Sequence, residues 1–265
     1  YLEKKMYKRV SVLIPTFNGS EYLQPQFDSI ENQIDEIDEL IISDDCSKDD
    51  TLEITKSFKL KHPQKIKVHQ NGKRLGLAKN LAKCLYLCKG DYIFLSDQDD
   101  IWCKDRIKKT LAIFDENQSV DLVFSDLNIL KNSAIIDDTL FDQIAIDKKQ
   151  LQTLLDNDPM RLLIGPVNFI YGNTIAFRRN YIDEFSKCID ACSDNFLYHD
   201  LILALLVILK KKSIFFHKEP LVNYRVHDQQ LSGRVDKTKS TLSRQYFYNK
   251  SNALLKLHEY STEYY

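Results

Sequence analysis

The chain has 265 residues, 43% of them hydrophobic and 28% charged, a composition that excludes disordered and fibrous proteins and leaves a packed globular one. With 37 Lys and Arg against 38 Asp and Glu, the net charge of -1 gives no general attraction to nucleic acid or anionic lipid, so any anionic ligand must be held locally. The longest apolar run, residues 201–209, falls far short of the roughly 20 residues that span a bilayer, and no secretory signal is recognisable, which predicts a cytoplasmic protein.

An apolar, β-branched run at residues 10–14, ending at Pro15, predicts a buried strand. Helical spacing follows over 20–30, with Tyr22, Leu23, Phe27 and Ile30 on one face. A second strand at 39–43 runs into the acidic turn Asp44-Asp45-Cys46-Ser47-Lys48-Asp49-Asp50, whose carboxylates suit the N-terminus of a helix over 51–60. A strand at 65–69, a helix over 76–88 and a strand at 91–95 come next, and the last ends in Asp97-Gln98-Asp99-Asp100. Strands alternating with helices predict an α/β fold, a mostly parallel sheet covered by helices.

Past Asp105 the pattern predicts a helix to about Asn117 and a strand at 121–125. The stretch 128–147 is acidic and weakly patterned and reads as a loop or mobile flap. A strand at 172–177, a helix over 200–209, a strand at 213–216 and an amphipathic helix over 240–259 complete the order. No repeat or flexible linker divides the chain. Of six cysteines, Cys84/Cys88 and Cys188/Cys192 have i,i+4 spacing. That spacing invites a four-thiolate zinc site, but it is looser than usual for zinc and lies in apolar helical sequence, so the cysteines read as reduced, mostly buried thiols.

In open parallel sheets, ligands sit beyond the carboxyl ends of the strands, where this chain carries Thr16 and Asn18, Asp44 and Asp45, and Asp97 and Asp99. Carboxylates at alternate positions of a short turn offer hard oxygen ligands to Mg²⁺ or Mn²⁺, which commonly also take phosphate oxygens. The competing reading is a solvated acidic turn that caps a helix. Neither acidic turn has the glycine and distal Glu of a calcium loop, and no glycine-rich dinucleotide or P-loop motif is present.

The blocks VSVLIPTFN at 10–18, IISDDCSKD at 41–49, GLAKN at 76–80 and GDYIFLSDQDDIW at 90–102 resemble family 2 glycosyltransferases of GT-A fold. The later blocks at 172–174, 199–200 and 224–227 extend the resemblance over residues 8–233, and the SDQDDIW wording is most similar to bacterial rhamnosyltransferase-like members. Cys46 departs from the pattern, which usually has glycine there.

The resemblance implies a nucleotide-binding half at 8–105, an acceptor half at 106–233 and a C-terminal helical extension at 234–265. It implies nucleotide-sugar contacts from Pro15, Thr16, Phe17, Asn18, Asp44, Asp45, Gly76, Lys79, Asn80, Asp97, Gln98 and Arg225, and Mn²⁺ or Mg²⁺ ligation by Asp99, His227 and Asp97. Asp200 would be the general base, with Trp102, Asn173, Thr174 and His199 facing the acceptor. The implied partners are a UDP- or dTDP-sugar donor and a glycan, lipid-linked glycan or glycoprotein acceptor, with no nucleic acid; the implied reaction is inverting transfer, with rhamnose from dTDP-rhamnose preferred. The C-terminal helix leaves open a homodimer or a peripheral place at the inner face of the membrane. Two rivals stand: a nucleotidyltransferase, which would need a basic, glycine-rich triphosphate loop, and a catalytically silent carbohydrate-binding or scaffold protein of the same fold.

Overall fold

A computed structural model describes residues 8–164, 169–191 and 199–227; Cys192 and the expected helix over 240–259 lie outside the described residues. The first half follows the sequence pattern closely. Strands β1 (Val10–Thr16), β2 (Glu39–Asp44), β3 (Ile66–Gln70) and β4 (Tyr92–Leu95) alternate with helices α1 (Ser20–Glu31), α2 (Thr51–Lys61) and α3 (Leu77–Leu85). They pair in parallel in the order β3-β2-β1-β4. Every residue of β1, β2 and β4 is buried, as expected of strands covered on both faces. On α1, Leu23, Phe27 and Ile30 are fully buried, each contributing roughly 1.5–3 kcal/mol of apolar burial. Phe27 stacks on Phe58 of α2 with centroids 4.3 Å apart.

The second half is mixed rather than alternating. It contains β5 (Ile101–Trp102), α4 (Arg106–Glu116), β6 (Val120–Lys131), β7 (Ala134–Thr139), α5 (Leu140–Gln143), α6 (Lys148–Asn157), α7 (Pro159–Ile164), β8 (Ala176–Arg178), α8 (Ile182–Ala191), α9 (His199–Leu209) and β9 (Ser213–Arg225). Beyond β4 the sheet continues β8-β6-β9-β5, with β7 hydrogen-bonded to β6. Three-residue β8 is antiparallel to both β4 and β6, while β6 and β9 run parallel. Arg178 staples this seam: Nε donates to Val120 O at 3.0 Å, Nη1 to Tyr92 Oη at 3.0 Å and Nη2 to Phe114 O at 3.3 Å, and Asp121 balances its charge at 3.0 Å.

Three local expectations are corrected. The stretch 128–147 is no irregular loop: it is the end of β6, a hairpin to β7, helix α5 and the entry to α6. Asn132 and Ser133 both have positive φ, 49° and 64°, as a two-residue hairpin turn matched to strand twist requires. A capping box between Thr139 and Asp142 starts α5, and Lys148 pairs with buried Asp126 at 2.7 Å and with Asp142 at 3.0 Å. The expected strand at 172–177 is instead a single 3₁₀ turn over Gly172–Thr174 followed by β8. The last strand runs 13 residues, not four, because an irregularity opposite Asp126 accommodates Pro220 and lets pairing resume at Val222.

Among the described residues no helix is long and apolar enough to cross a membrane. Cys84, Cys88 and Cys188 are buried, and burial pushes the Cys88 thiol up to about 12 and Cys84 upward as well.

A non-glycine residue held in the left-handed region costs about 1–2 kcal/mol. Ser133→Gly is therefore expected to raise the urea midpoint with an unchanged m value, because the change relieves strain without altering the surface exposed on unfolding. A lower midpoint would show that the turn is not formed in solution.

Candidate active site

A cleft of about 330 Å³ opens where β1, β2 and β4 end. One wall is Pro15, Thr16, Phe17 and Asn18; a second is Asp45, Gly76, Leu77 and Asn80; and Asp97, Gln98, Asp99 and His227 line the cleft near the end of β4. Eleven of the residues singled out from the sequence therefore converge on one space. Asp44 and Lys79 do not line it. Asp44 is fully buried and accepts from Ser47 N–H at 3.0 Å, closing the turn after β2. The N-cap of α2 is Asp50, and Asp49 just before it accepts from Thr51 N–H and Oγ1–H through Oδ1.

Asp45 is 3% exposed, and its carboxylate already organises the far wall. Leu75 N–H and Gly76 N–H donate to its two oxygens at 2.8 Å each, and Asn71 Nδ2 donates at 2.9 Å. Gly76 carries φ 84°, a conformation suited to glycine, which lets the chain turn from that carboxylate into α3. Asn80 is tied to Ser43, donating to its carbonyl at 2.9 Å and accepting from its hydroxyl at 2.6 Å. Cys46 sits at φ 64°, which is why a glycine suits this position of the turn; the thiol donates to Asn71 O at 2.9 Å.

The acidic turn concentrates charge. One oxygen each from Asp97, Asp99 and Asp100 lies within 4.8 Å of the others. Burial, then Asp99 and Asp200, push the Asp97 carboxyl up to about 7, and burial with Asp99 and Asp97 holds Asp100 well above the carboxylate range. Asp100 is fully engaged: Arg225 N–H donates to one oxygen at 3.0 Å and Asn173 Nδ2 to the other at 2.5 Å. Arg225 Nε also donates to Asp99 O at 2.8 Å, and His227 Nε2 lies 2.9 Å from Asp99 Oδ2. Beneath the turn, the buried Arg106 guanidinium donates to Leu95 O at 3.1 Å; burial lowers its pKa to about 9 while Asp100 and Asp97 act to raise it.

Several expected contact residues sit behind the cleft. Trp102 is 4% exposed; its indole N–H donates to Ser96 Oγ at 3.0 Å and its ring covers Arg106 at 4.1 Å. Asn173 and Thr174 are buried, the first against Asp100 and the second donating to Tyr171 O at 2.7 Å. His199 is buried against Gly172, where a side-chain carbon would strike its ring. Asp200 begins α9, accepts from Leu201 N–H at 2.7 Å, and is near enough to Asp97 to raise its pKa.

Tyr22, Arg74, Leu77 and Tyr224 also line the cleft although the sequence reading singled out none of them as a site residue. Tyr22, assigned to the buried face of α1, packs against His227 with ring centroids 4.4 Å apart and planes tilted by 37°, and the Arg74 guanidinium lies 4.0 Å over the Phe17 ring. An aromatic in a helix's apolar face and a basic residue in a polar loop carry no periodic signal that would distinguish them.

The profile of glycosyl transferase family 2 matches residues 11–186. The chain belongs to that family. This family 2 glycosyltransferase is 32% identical over 226 residues to a dTDP-rhamnosyl transferase of Shigella flexneri, covering 82% of the chain and 73% of the relative. It is 35% identical over 127 residues to chondroitin synthase of Escherichia coli, 47% of this chain but 18% of that protein. The fold is that of Staphylococcus aureus TarS residues 1–349, solved with UDP-GlcNAc, at TM-score 0.64 and 19% identity over 94% of this chain and 66% of that one. A mannosyltransferase of Pyrobaculum calidifontis, solved with GDP-Man and Mn²⁺, matches at TM-score 0.59 and 17% identity over 84% of this chain and 59% of that one. The chain thus spans from under a fifth to about three quarters of the length of these relatives.

A carboxyl raised in the folded state keeps a proton that the unfolded chain releases. Its stabilising contribution is complete below about pH 4 and is lost as pH rises through about 7. In chelator, the melting temperature is expected to fall between pH 5 and 7 more steeply for the parent than for Asp97→Asn; equal slopes would contradict the clustering.

Proposed function

We propose that the protein is an inverting, metal-dependent glycosyltransferase that moves a sugar from a nucleoside diphosphate to a hydroxyl of a glycan acceptor. The observation that carries this reading is the cleft itself, where nucleoside-sized walls from the ends of β1 and β2 meet Asp97, Asp99 and His227. A cluster of carboxylates with a raised Asp97 is the arrangement that a divalent cation relieves. The donor set of carboxylate oxygens and one imidazole fits Mn²⁺ or Mg²⁺, with Asp99 and His227 as direct ligands and Asp97 beside them. When bound, the ion offsets charge that builds on the departing diphosphate.

The chain's own residues supply the rest. Thr16, Phe17 and Asp45 hold the nucleoside, with Arg74 closing over Phe17. Asp200 takes the proton from the acceptor hydroxyl as its oxygen bonds to the anomeric carbon from the face opposite the leaving diphosphate, which inverts configuration. The reading of Asp200 as the base is supported by its charge acting on Asp97, beside the proposed ion. A rhamnosyl donor carried by dTDP is the preferred substrate, supported by the similar S. flexneri protein's name. The acceptor is then a bacterial surface polysaccharide or a glycoprotein glycan.

Nucleoside diphosphate with Mn²⁺ is expected to raise the melting temperature by mass action, and Asp99→Ala to remove the metal-dependent part. An unchanged metal-dependent shift in that variant would displace Asp99 from the ion.

Asp200→Asn keeps the acceptor oxygen for Leu201 N–H but cannot take a proton. Turnover of a panel of sugar nucleotides should fall about 10²–10⁴-fold while donor affinity changes little. Turnover within a few-fold of the parent would mean that Asp200 only starts its helix.

A further inference from the structure

Gln98 stands between the two carboxylates assigned to the cation, yet its amide is turned away from them. Its Oε1 accepts from Phe17 N–H at 2.8 Å and its Nε2 donates to Phe17 O at 3.1 Å, so one side chain satisfies both backbone groups of one residue. The pair imitates the reciprocal bonding of two strands, and both polar ends of the amide are used. Phe17 is the residue whose ring lies under Arg74 in the nucleoside wall. Gln98 therefore joins a backbone that shapes the nucleoside wall to the turn that carries Asp97 and Asp99.

Gly19 shows that the space is reserved for this contact. A side-chain carbon at Gly19 would lie 2.3 Å from Gln98 Oε1 and 2.5 Å from its Cδ. Gly19 has φ -113°, which any residue adopts, so the backbone does not require glycine there. What a side-chain carbon there would displace is the amide at the far end of Gln98. On its other side the Phe17 segment is fixed to the turn after β2: Asp45 N–H donates to Thr16 O at 2.8 Å, Asn18 N–H to Ser47 Oγ at 2.9 Å and Gly19 N–H to Thr51 Oγ1 at 2.8 Å. A second tie, from Gln26 Nε2 to Asp97 O at 3.1 Å, holds the start of the carboxylate turn and leaves the stretch between the two carboxylates to Gln98.

We propose that Gln98 is a positioning residue that couples the two subsites: its bidentate grip on Phe17 makes ordering of the nucleoside wall and ordering of the Asp97–Asp99 turn one event. The inference rests on the nucleotide-sugar reading of this cleft. A ligand that orders one subsite then lowers the entropy lost when the second is filled, and linkage makes the effect reciprocal.

The diphosphate would link the subsites by itself, so the test uses nucleosides. Uridine and thymidine lack phosphate and reach the cation only through the protein. Mn²⁺ affinity is measured by the free-ion EPR signal with and without saturating nucleoside, in the parent, in Gln98→Leu and in Gly19→Ala. The expected result is tightening of Mn²⁺ by about 5-fold or more in the parent, the lower end of ordinary site-to-site coupling, and no more than about 2-fold in either variant, with each ligand still binding alone. Gly19→Ala reaches the amide without removing it, so a folding defect in Gln98→Leu leaves the test intact. In a Gln98→Ala background, Gly19→Ala should lose its destabilising effect on the melting temperature, because the obstructing atoms are gone. Coupling that persists in both variants, or a parent that binds both ligands without coupling, overturns the role of Gln98. A parent that binds neither nucleoside nor Mn²⁺ overturns the nucleotide-sugar reading, and the inference with it.

Discussion

Holding like charges together is the constraint on which this structure turns. Asp97, Asp99 and Asp100 cluster at the end of a buried strand, and the charge of Asp200, from the second half of the chain, adds to the repulsion on Asp97. Carboxylates at such distances repel strongly in a partly dry environment, and no surface loop would keep them there unaided. Asp100 is the anchor: its two oxygens are saturated by Asn173 and the Arg225 backbone, which binds the turn to the 3₁₀ turn before β8 and to the end of β9. Arg106 lies underneath, covered by Trp102, and supplies positive charge from a position solvent does not reach.

This arrangement accounts for the division of labour between the halves. The first half supplies most of the walls, the acidic turn and the ties of Gln26 and Gln98 to it, and the second supplies the Asn173 and Arg225 contacts that hold Asp100. Arg225 contributes a backbone N–H and Nε rather than a cation aimed into the cleft. Trp102 and Asn173 have the same character, supporting the turn from behind through Ser96 and Asp100. Residues that a motif marks as important need not touch a ligand.

The first half was legible in the sequence because β1, β2 and β4 are buried throughout and read as apolar runs ending in polar turns, while edge strand β3 shows the alternation of a half-exposed strand. The second half obeys a different pattern. β7 is largely exposed and carries Asp137 and Asp138, so 128–147 lacked the apolar signal of a strand, although Asn132-Ser133 between two β-branched stretches marks a hairpin. β9 contains His217, Lys218, Glu219 and Pro220 in its irregular middle, which divides its apolar pattern into two short pieces. In the cleft, strand-end residues were readable because topology alone brings strand ends together. Tyr22 and Arg74 were not, because each depends on a tertiary partner, His227 or Phe17, distant in the chain or hidden by a turn.

The seam at β8 has a consequence for how such a fold can be rebuilt. Only three residue pairs join β8 to β4 and two join it to β6, so lateral continuity of the whole sheet passes through a very short segment. Much of the cohesion there comes from one side chain, Arg178, which touches β4, β6 and the end of α4 at once. A chimera that swaps everything beyond the seam would have to preserve few backbone partners there but would have to keep that arginine and Asp121, together with the Asn173 and Arg225 contacts to Asp100. The joint behaves as a narrow coupling with a fixed pin, a form that lets the elements beyond the seam be exchanged while the cleft walls at the ends of β1 and β2 stay as they are.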